Sequence, residues 1–386
     1  VKKTATIAAL ALATTLAGVA ASPAAMAAPP QPSAADTSAA DRAAAMDGYK
    51  RHLAEEVARR LGEQRFRDAL IRELTGDGQA DLVALLDSVP GAQDVAGYAR
   101  NANDEILKLK GVQAEESLLQ IRIDPKMAKR ISAGETLVMA TPSSEEKTVR
   151  TVAAFDVNGR SQELDAVKAP KRPVLVVGLD EQKSVELAQR FVRQRLTEAG
   201  VGGADRTGTE KPQTQPQSQQ NEAGSLRPVQ TLEVVRNIND HEPWYKGSPE
   251  IYAWVTGLGS DGKARVDQVW MPYIQKENAT YYPHQTLIEW NNFTWTSLDV
   301  VFMEHDDNTD LSGLARAVVE AALAASGNGQ YIPLADKIIA ALPGDLTKDD
   351  DDYVDSYYNI SAGSRGNVPS ASIPPGMGIS LEFKWV

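Results

Sequence analysis

TSLDVVFMEHDDNTDLSGLARAVVEAALAA, residues Thr296 to Ala325, decides the reading of this chain. Leu298, Val300 and Phe302 alternate as one face of a strand requires, and from Leu311 the apolar positions recur at helical spacing. Between the two patterns lies MEHDDNTD, Met303 to Asp310, a crowd of oxygen donors. Continued regularly, the strand face runs Leu298, Val300, Phe302, Glu304 and Asp306, so an apolar stripe ends in two carboxylates. Asp306, Asn308, Asp310 and Ser312 also stand two apart, which copies the opening of a calcium loop, where alternate residues turn oxygens inward. The copy is incomplete: the sixth position is Leu311 instead of Gly, and the twelfth is Ala317 instead of Glu. This is not an EF-hand.

The candidate metal ligands are therefore Glu304, Asp306, Asp307 and Asp310. Asp240, from the run Asn239, Asp240, Glu242, and Asp351, from the run Asp349 to Asp352, are added because both runs border strand patterns and can close the same rim. Calcium leads among metals because every donor is an oxygen and an exported protein meets calcium outside the cell. The competing reading needs no ion: Asp310 caps the following helix, where a carboxylate is stabilised by the free N–H groups, and Asp349 to Asp352 is a solvated turn.

Around this stretch the chain divides. Residues 200–226, beginning GVGGADRTGTEKPQTQPQSQQNEAGS, hold repeated Gly and Gln and almost no large apolar residue, so they read as a flexible linker. Residues 28–199 read as an N-terminal α+β region. Met46, Leu53, Val57 and Leu61, then Phe66, Leu70 and Leu74, mark a helical face, and Leu82, Leu85, Leu86 and Val89 a second, short helix. From Leu119 the period changes to two, a hairpin turns at Asn158-Gly159, VLVVG after Pro173 is a buried strand, and Glu181 to Glu198 is a helix closed by Gly200. Residues 227–386 read as an acidic β-sandwich-like domain, rich in short aromatic strands, with a helical insertion at 311–325 and 333–342. Its last segment alternates Ile379, Leu381, Phe383 and Trp385 with Ser380, Glu382 and Lys384, the mark of a half-buried strand. The expected fold class is α+β: a helical segment with a small sheet, then the sandwich.

Lys2 and Lys3, the apolar run Ile7 to Ala21 and Ala25-Met26-Ala27 stand in the order of a bacterial signal peptide, which sets residues 1–27 apart and predicts export to the cell exterior or envelope. No later segment approaches the length of a membrane span. The 386 residues contain no cysteine, so neither disulfides nor thiolate zinc sites enter. Loss of Lys2 and Lys3 takes the formal charge from −12 to −14, and residues 227–386, with 22 acids against 11 Lys and Arg, carry −11 of it. Nucleic acid is excluded as a partner for such a surface.

The rival reading is a metal-dependent extracellular hydrolase, for which His241, His284, His305 and Glu304 would have to converge in one cleft. The helical zinc-protease pattern of two His four residues apart is absent. Gly257-Leu-Gly259-Ser-Asp-Gly262 matches a dinucleotide fingerprint but stands between two strands and reads as a hairpin. The many Trp and Tyr of the second half read as core in preference to a sugar-binding groove.

Asn239 to Gly257 (NDHEPWYKGSPEIYAWVTG), Met271 to Trp290 (MPYIQKENATYYPHQTLIEW), MEHDDNTD and Asp349 to Tyr358 (DDDDYVDSYY), with AAFDVNG and RPVLVVG before them, resemble an exported bacterial family catalogued as domain of unknown function 3103. The resemblance spans most of the chain. It implies one recurring architecture across both halves and transfers no activity, cofactor or catalytic residue. The expectation is a secreted interaction module whose acidic rim binds calcium and captures a protein or polysaccharide.

Overall fold

The computed structural model describes residues 38–142, 149–202, 205–206, 226–238, 243–247, 249–276, 278–294, 296–305, 309–325, 334–341 and 353–386. The first half holds α1 (Ala39–Arg60), α2 (Gln64–Leu74), β1 (Gln79–Asp81), α3 (Leu82–Ser88), α4 (Gln93–Leu109), β2 (Leu119–Arg122), β3 (Leu137–Ala140), β4 (Thr151–Phe155), β5 (Ser161–Asp165), β6 (Val174–Leu179) and α5 (Glu181–Glu198). The second half holds β7 (Asp205–Arg206), β8 (Pro228–Asn237), β9 (Ile251–Leu258), β10 (Ala264–Trp270), β11 (Thr280–Tyr281), β12 (Gln285–Glu289), β13 (Ser297–Glu304), α6 (Leu311–Ala325), α7 (Leu334–Ala341), β14 (Tyr353–Ser361), β15 (Gly366–Val368) and β16 (Met377–Trp385). The fold is mixed α+β, with N-terminal helices followed by sheets.

Short polar residues start the helices where the sequence places them. Ser38, Asp81 and Asp180 each accept a hydrogen bond from a backbone N–H in the first turn of α1, α3 and α5, satisfying a donor that the helix leaves open. The buried faces of α1 and α2 follow Met46, Leu53, Val57, Leu61, Phe66, Leu70 and Leu74. Two features depart from the sequence reading: the single helical face from Met46 to Leu74 is two helices, α1 and α2, and α4 lies between Val89 and the strand at Leu119, where the reading has no element. The buried stripe of α4 is Val95, Ala96, Ala99, Ala102, Asn103, Ile106 and Leu107, spaced as one helix face requires, and the sequence reading passes over it.

In the first half the sheet runs β1-β2-β6-β3-β4-β5, with β3 and β6 parallel and the other pairs antiparallel. Helices α1 to α4 cover one face. The other face is covered from the second half: Tyr245 packs with Leu137, Met139, Val152 and Val176, and Trp244 Nε1 donates to Asp165 O at 3.1 Å. Arg122 holds this tongue by donating to Tyr245 O.

In the second half two five-stranded sheets face each other. One runs β14-β13-β9-β10-β7, the other β11-β8-β16-β15 with β12 also beside β8. Leu232, Val255, Val269, Val300, Phe302, Tyr357, Ile379 and Leu381 fill the space between them. The outer face of the first sheet is covered by α5, α6 and α7, whose Val185, Val192, Leu314, Val318 and Ile338 pack on Trp254, Trp270 and Val301. The order is thus helix, sheet, sheet, with α6 and α7 inserted between neighbouring antiparallel strands β13 and β14. Gly257 to Gly262 turns β9 into β10, Gly259 N donating to Lys263 O at 2.7 Å, so the fingerprint match is a hairpin.

The two halves share their interior. Leu187 and Ala188 of α5 belong to the core of the first half, while Val185, Val192 and Leu196 of the same helix belong to that of the second. Leu311, opening α6, returns to the first core. Within the stretch 200–226, Val201 is buried and Asp205–Arg206 pairs parallel with Gln268 and Val269 of β10; residues 207–225 lie outside the described ones.

Candidate functional site

The strand carrying Leu298, Val300 and Phe302 toward the acidic run is β13, and these side chains fill the sandwich core. Glu304 pairs in register with Ile251, itself a core residue, so it continues that face. The face looks inward: Glu304 and the next residue, His305, are buried, and His305 N donates to Glu250 O at 3.3 Å. Asp306, Asp307, Asp240 and Asp351 lie outside the described residues.

The flanking strands define where those acids attach. Met303, near the end of β13, is the partner of Tyr353, which opens β14 just after the run 349–352. Ile238, just after β8 and just before Asn239, donates its N–H to Gly376 O at 3.0 Å. A Cβ on Gly376 would stand 2.3 Å from Val354 O, so this backbone lies directly on β14. The ends of β8 and β13 and the beginning of β14 are therefore together at one end of the sandwich.

Asp310 is the one proposed ligand besides Glu304 that the structure describes. Its Oδ1 accepts from Gly313 N at 2.9 Å and its carbonyl from Leu314 N at 2.9 Å, which is an N-cap on α6. Its Oδ2 faces Arg42 Nη2 of α1 at 3.8 Å. The start of α6 rests on the loop after α4, where Gly111 has φ +72° and a Cβ would meet Ser312 Cβ at 2.5 Å. Positive charge from α1 thus already reaches this end of the acidic run.

Asp355, three residues beyond the acidic run 349–352, has a task of its own. It is wholly buried and accepts from Ser356 N at 2.7 Å, Ser370 Oγ at 2.6 Å and Met377 N at 3.0 Å. Tyr357 Oη stands 3.4 Å from it; burial, then this carboxylate, pushes the phenol pKa up. One side chain so ties β14 to the following loop and to the start of β16.

Among the described residues the histidines do not gather. His52 meets Tyr98 in the helical layer, the rings tilted by 59° with centroids 4.4 Å apart. His305 is 3 % exposed beside β13, whereas His284, before β12 on the other sheet, has a side chain 65 % exposed and bonds Glu233 through Nδ1 at 2.5 Å. His241 lies outside the described residues. Among the described residues no group of three or more His, Cys, Asp or Glu stands ready to hold a metal.

The pairing of His284 with Glu233, which the sequence reading misses, brings together residues 51 apart. Glu233 also accepts from Lys384 Nζ at 2.6 Å and Thr231 Oγ1 at 2.5 Å. Burial pulls its pKa upward, but the bonds from Lys384, Thr231 and His284 outweigh it and hold the value down at about 2. His284 itself has φ +49°, a left-handed conformation uncommon outside glycine.

Of the aromatic residues, Tyr245, Tyr252, Trp254, Trp270 and Tyr357 are buried, while Tyr282 and Trp385 are exposed. They serve mainly as core. No helix among the described residues is long and apolar enough to cross a membrane.

A helix layer over two stacked sheets, with an acidic insertion point at one rim, is the class of architecture these elements define. The chain belongs to the family described as "Protein of unknown function (DUF3103)", whose model matches residues 50–368. Comparison with curated proteins and with solved structures gives no match for either.

Proposed function

We propose that the protein is an exported interaction module whose acidic rim binds calcium and, so ordered, captures another protein or a polysaccharide. The reading rests on one observation: the ends of β8 and β13 and the start of β14 lie together, and the runs 239–242, 304–310 and 349–352 all attach there. Two unit charges 4 Å apart repel by about 1 kcal/mol in water and by about 4 kcal/mol at the effective dielectric of a protein surface. A hard cation with 6–8 oxygen ligands relieves that repulsion. Glu304, Asp306 and Asp307 are the proposed ligands, with Asp240 and Asp351 from the neighbouring runs; Asp310, through its cap on α6, fixes the far end of the loop.

The test is a pair of thermal melts, one in chelator and one in excess calcium, with magnesium as control. Free calcium at 100 times the dissociation constant stabilises by about 2.7 kcal/mol, so the melting temperature should rise with calcium, and the rise should vanish in Asp306→Asn/Asp307→Asn. Superimposed melts in chelator and calcium remove the proposal.

A further inference from the structure

Polar atoms lacking any hydrogen-bond partner gather where α5 and α6 cover β9 and β10. Trp254 and Gln268 are direct partners across the β9–β10 ladder, so their side chains leave the same face, and Trp270, two residues along β10, joins them. That face is the helix-covered one: Trp254 and Trp270 share a core with Val185 and Val192 of α5 and with Leu314, Ala315 and Val318 of α6. Gln189 lies four residues after Val185 and three before Val192, on the same stripe of α5. Trp254 Nε1, Trp270 Nε1, Gln268 Oε1 and Gln189 Nε2 are without partners, in residues that are 1 %, 4 %, 5 % and 4 % exposed.

The apolar helix residues that share this core with the two indoles are Ala, Val, Leu, Ile and Phe, whose side chains offer no acceptor oxygen, and both indole N–H groups are without a partner. A donor buried without an acceptor forfeits its hydration, and proteins commonly meet such groups with internal water making two to four bonds. We infer that this seam is a binding site for small neutral hydrogen-bonding molecules, occupied by ordered water. One water accepts from the Trp254 and Trp270 indole N–H groups and donates to the Gln268 carbonyl, and a second, to which the first donates its other proton, accepts from the Gln189 amide N–H. Helix α5, which both cores share, is thus seated on the sheet partly through solvent.

The test uses the full chain with ¹⁵N-labelled tryptophan, the indole signals being assigned through Trp254→Phe and Trp270→Phe. Cross-peaks from both buried indole protons to long-lived water are expected. Their absence, while exposed Trp385 exchanges normally, overturns the inference. Native mass spectrometry separates the two sources of this chemistry: a bare protein mass accords with water, whereas a stoichiometric organic adduct lost in Trp270→Phe overturns the assignment of water. Gln189→Met, similar in volume, should lower the melting temperature if the amide is bridged, and a rise would mean the seam is dry.

Discussion

Removal of the Asp355 carboxylate should be among the most damaging single changes in the second half. In Asp355→Ala, Ser370 Oγ retains Ser372 O at 3.2 Å and Tyr357 Oη retains Met377 O at 2.8 Å. The N–H groups of Ser356 and Met377 lose the acceptor they have in Asp355. Each buried donor so stranded costs about 1–3 kcal/mol, and with loss of the link between β14 and β16 the total comes to about 3–4 kcal/mol. At about 1.2 °C per kcal/mol, which follows from roughly 2.1 cal/mol/K of unfolding entropy per residue over a chain of 386 residues, the melting temperature should fall by about 4–5 °C. Asp355→Asn keeps one acceptor oxygen and should lose about half as much. Urea unfolding followed by circular dichroism and by tryptophan fluorescence measures both, with the exposed Asp87→Ala as a control within about 0.5 kcal/mol of the parent. An Asp355→Ala protein as stable as that control would refute the reasoning.

Glu233 supplies a pH dependence. Its folded pKa of about 2 lies below the ordinary 4.5, so its contribution is complete above the unfolded value and is lost as pH falls from about 5 toward 2. Partial exposure of Lys384 and His284 reduces the effect to about 1–2 kcal/mol; stability measured at pH 7, 5 and 3 should fall less steeply in Glu233→Gln, and parallel curves would contradict the assignment. Gly376→Ala drives a Cβ to 2.3 Å from Val354 O and should cost about 1–3 kcal/mol, read by denaturant midpoint; an unchanged midpoint would mean that the strands are not so close. Asp310→Ala removes the α6 cap and the partner of Arg42 and should cost about 1–2 kcal/mol, whereas Asp310→Asn, which can still cap, should recover most of it in the same melts.

Those elements whose signal is local were legible in the amino acids. Val174–Leu179, apolar throughout, is a strand buried on both faces; Asn158-Gly159 turns the β4–β5 hairpin; and Met377 to Trp385 alternates as expected until its exposed last residues. Helix α4 was legible too, since Val95, Ala99, Ala102 and Ile106 recur at helical spacing, but it was passed over. The partnership of Glu233, His284 and Lys384 escaped because β8, β16 and the residue just before β12 bring it together, and spacing along the chain carries no record of that. At the rim, Leu298, Val300, Phe302 and Glu304 share one face as their alternation requires, and that face looks into the sandwich. Asp310 shows why acid-rich runs are ambiguous: the same carboxylate spacing suits an ion and a helix start, and only the fold reveals that its Oδ1 accepts from Gly313 N and that Arg42 stands near it.

The double allegiance of α5 has a bearing on how the polypeptide comes apart. A helix that lends one stripe to each of two interiors cannot be withdrawn from either without exposing both, so loss of order in one half should propagate to the other as a single transition. An engineered protease site between residues 207 and 225 would sever the covalent path yet leave α5 and the Trp244–Tyr245 tongue crossed between the fragments. The two pieces should then travel together through a sizing column, as complementing fragments do, and neither should persist folded once parted from its counterpart.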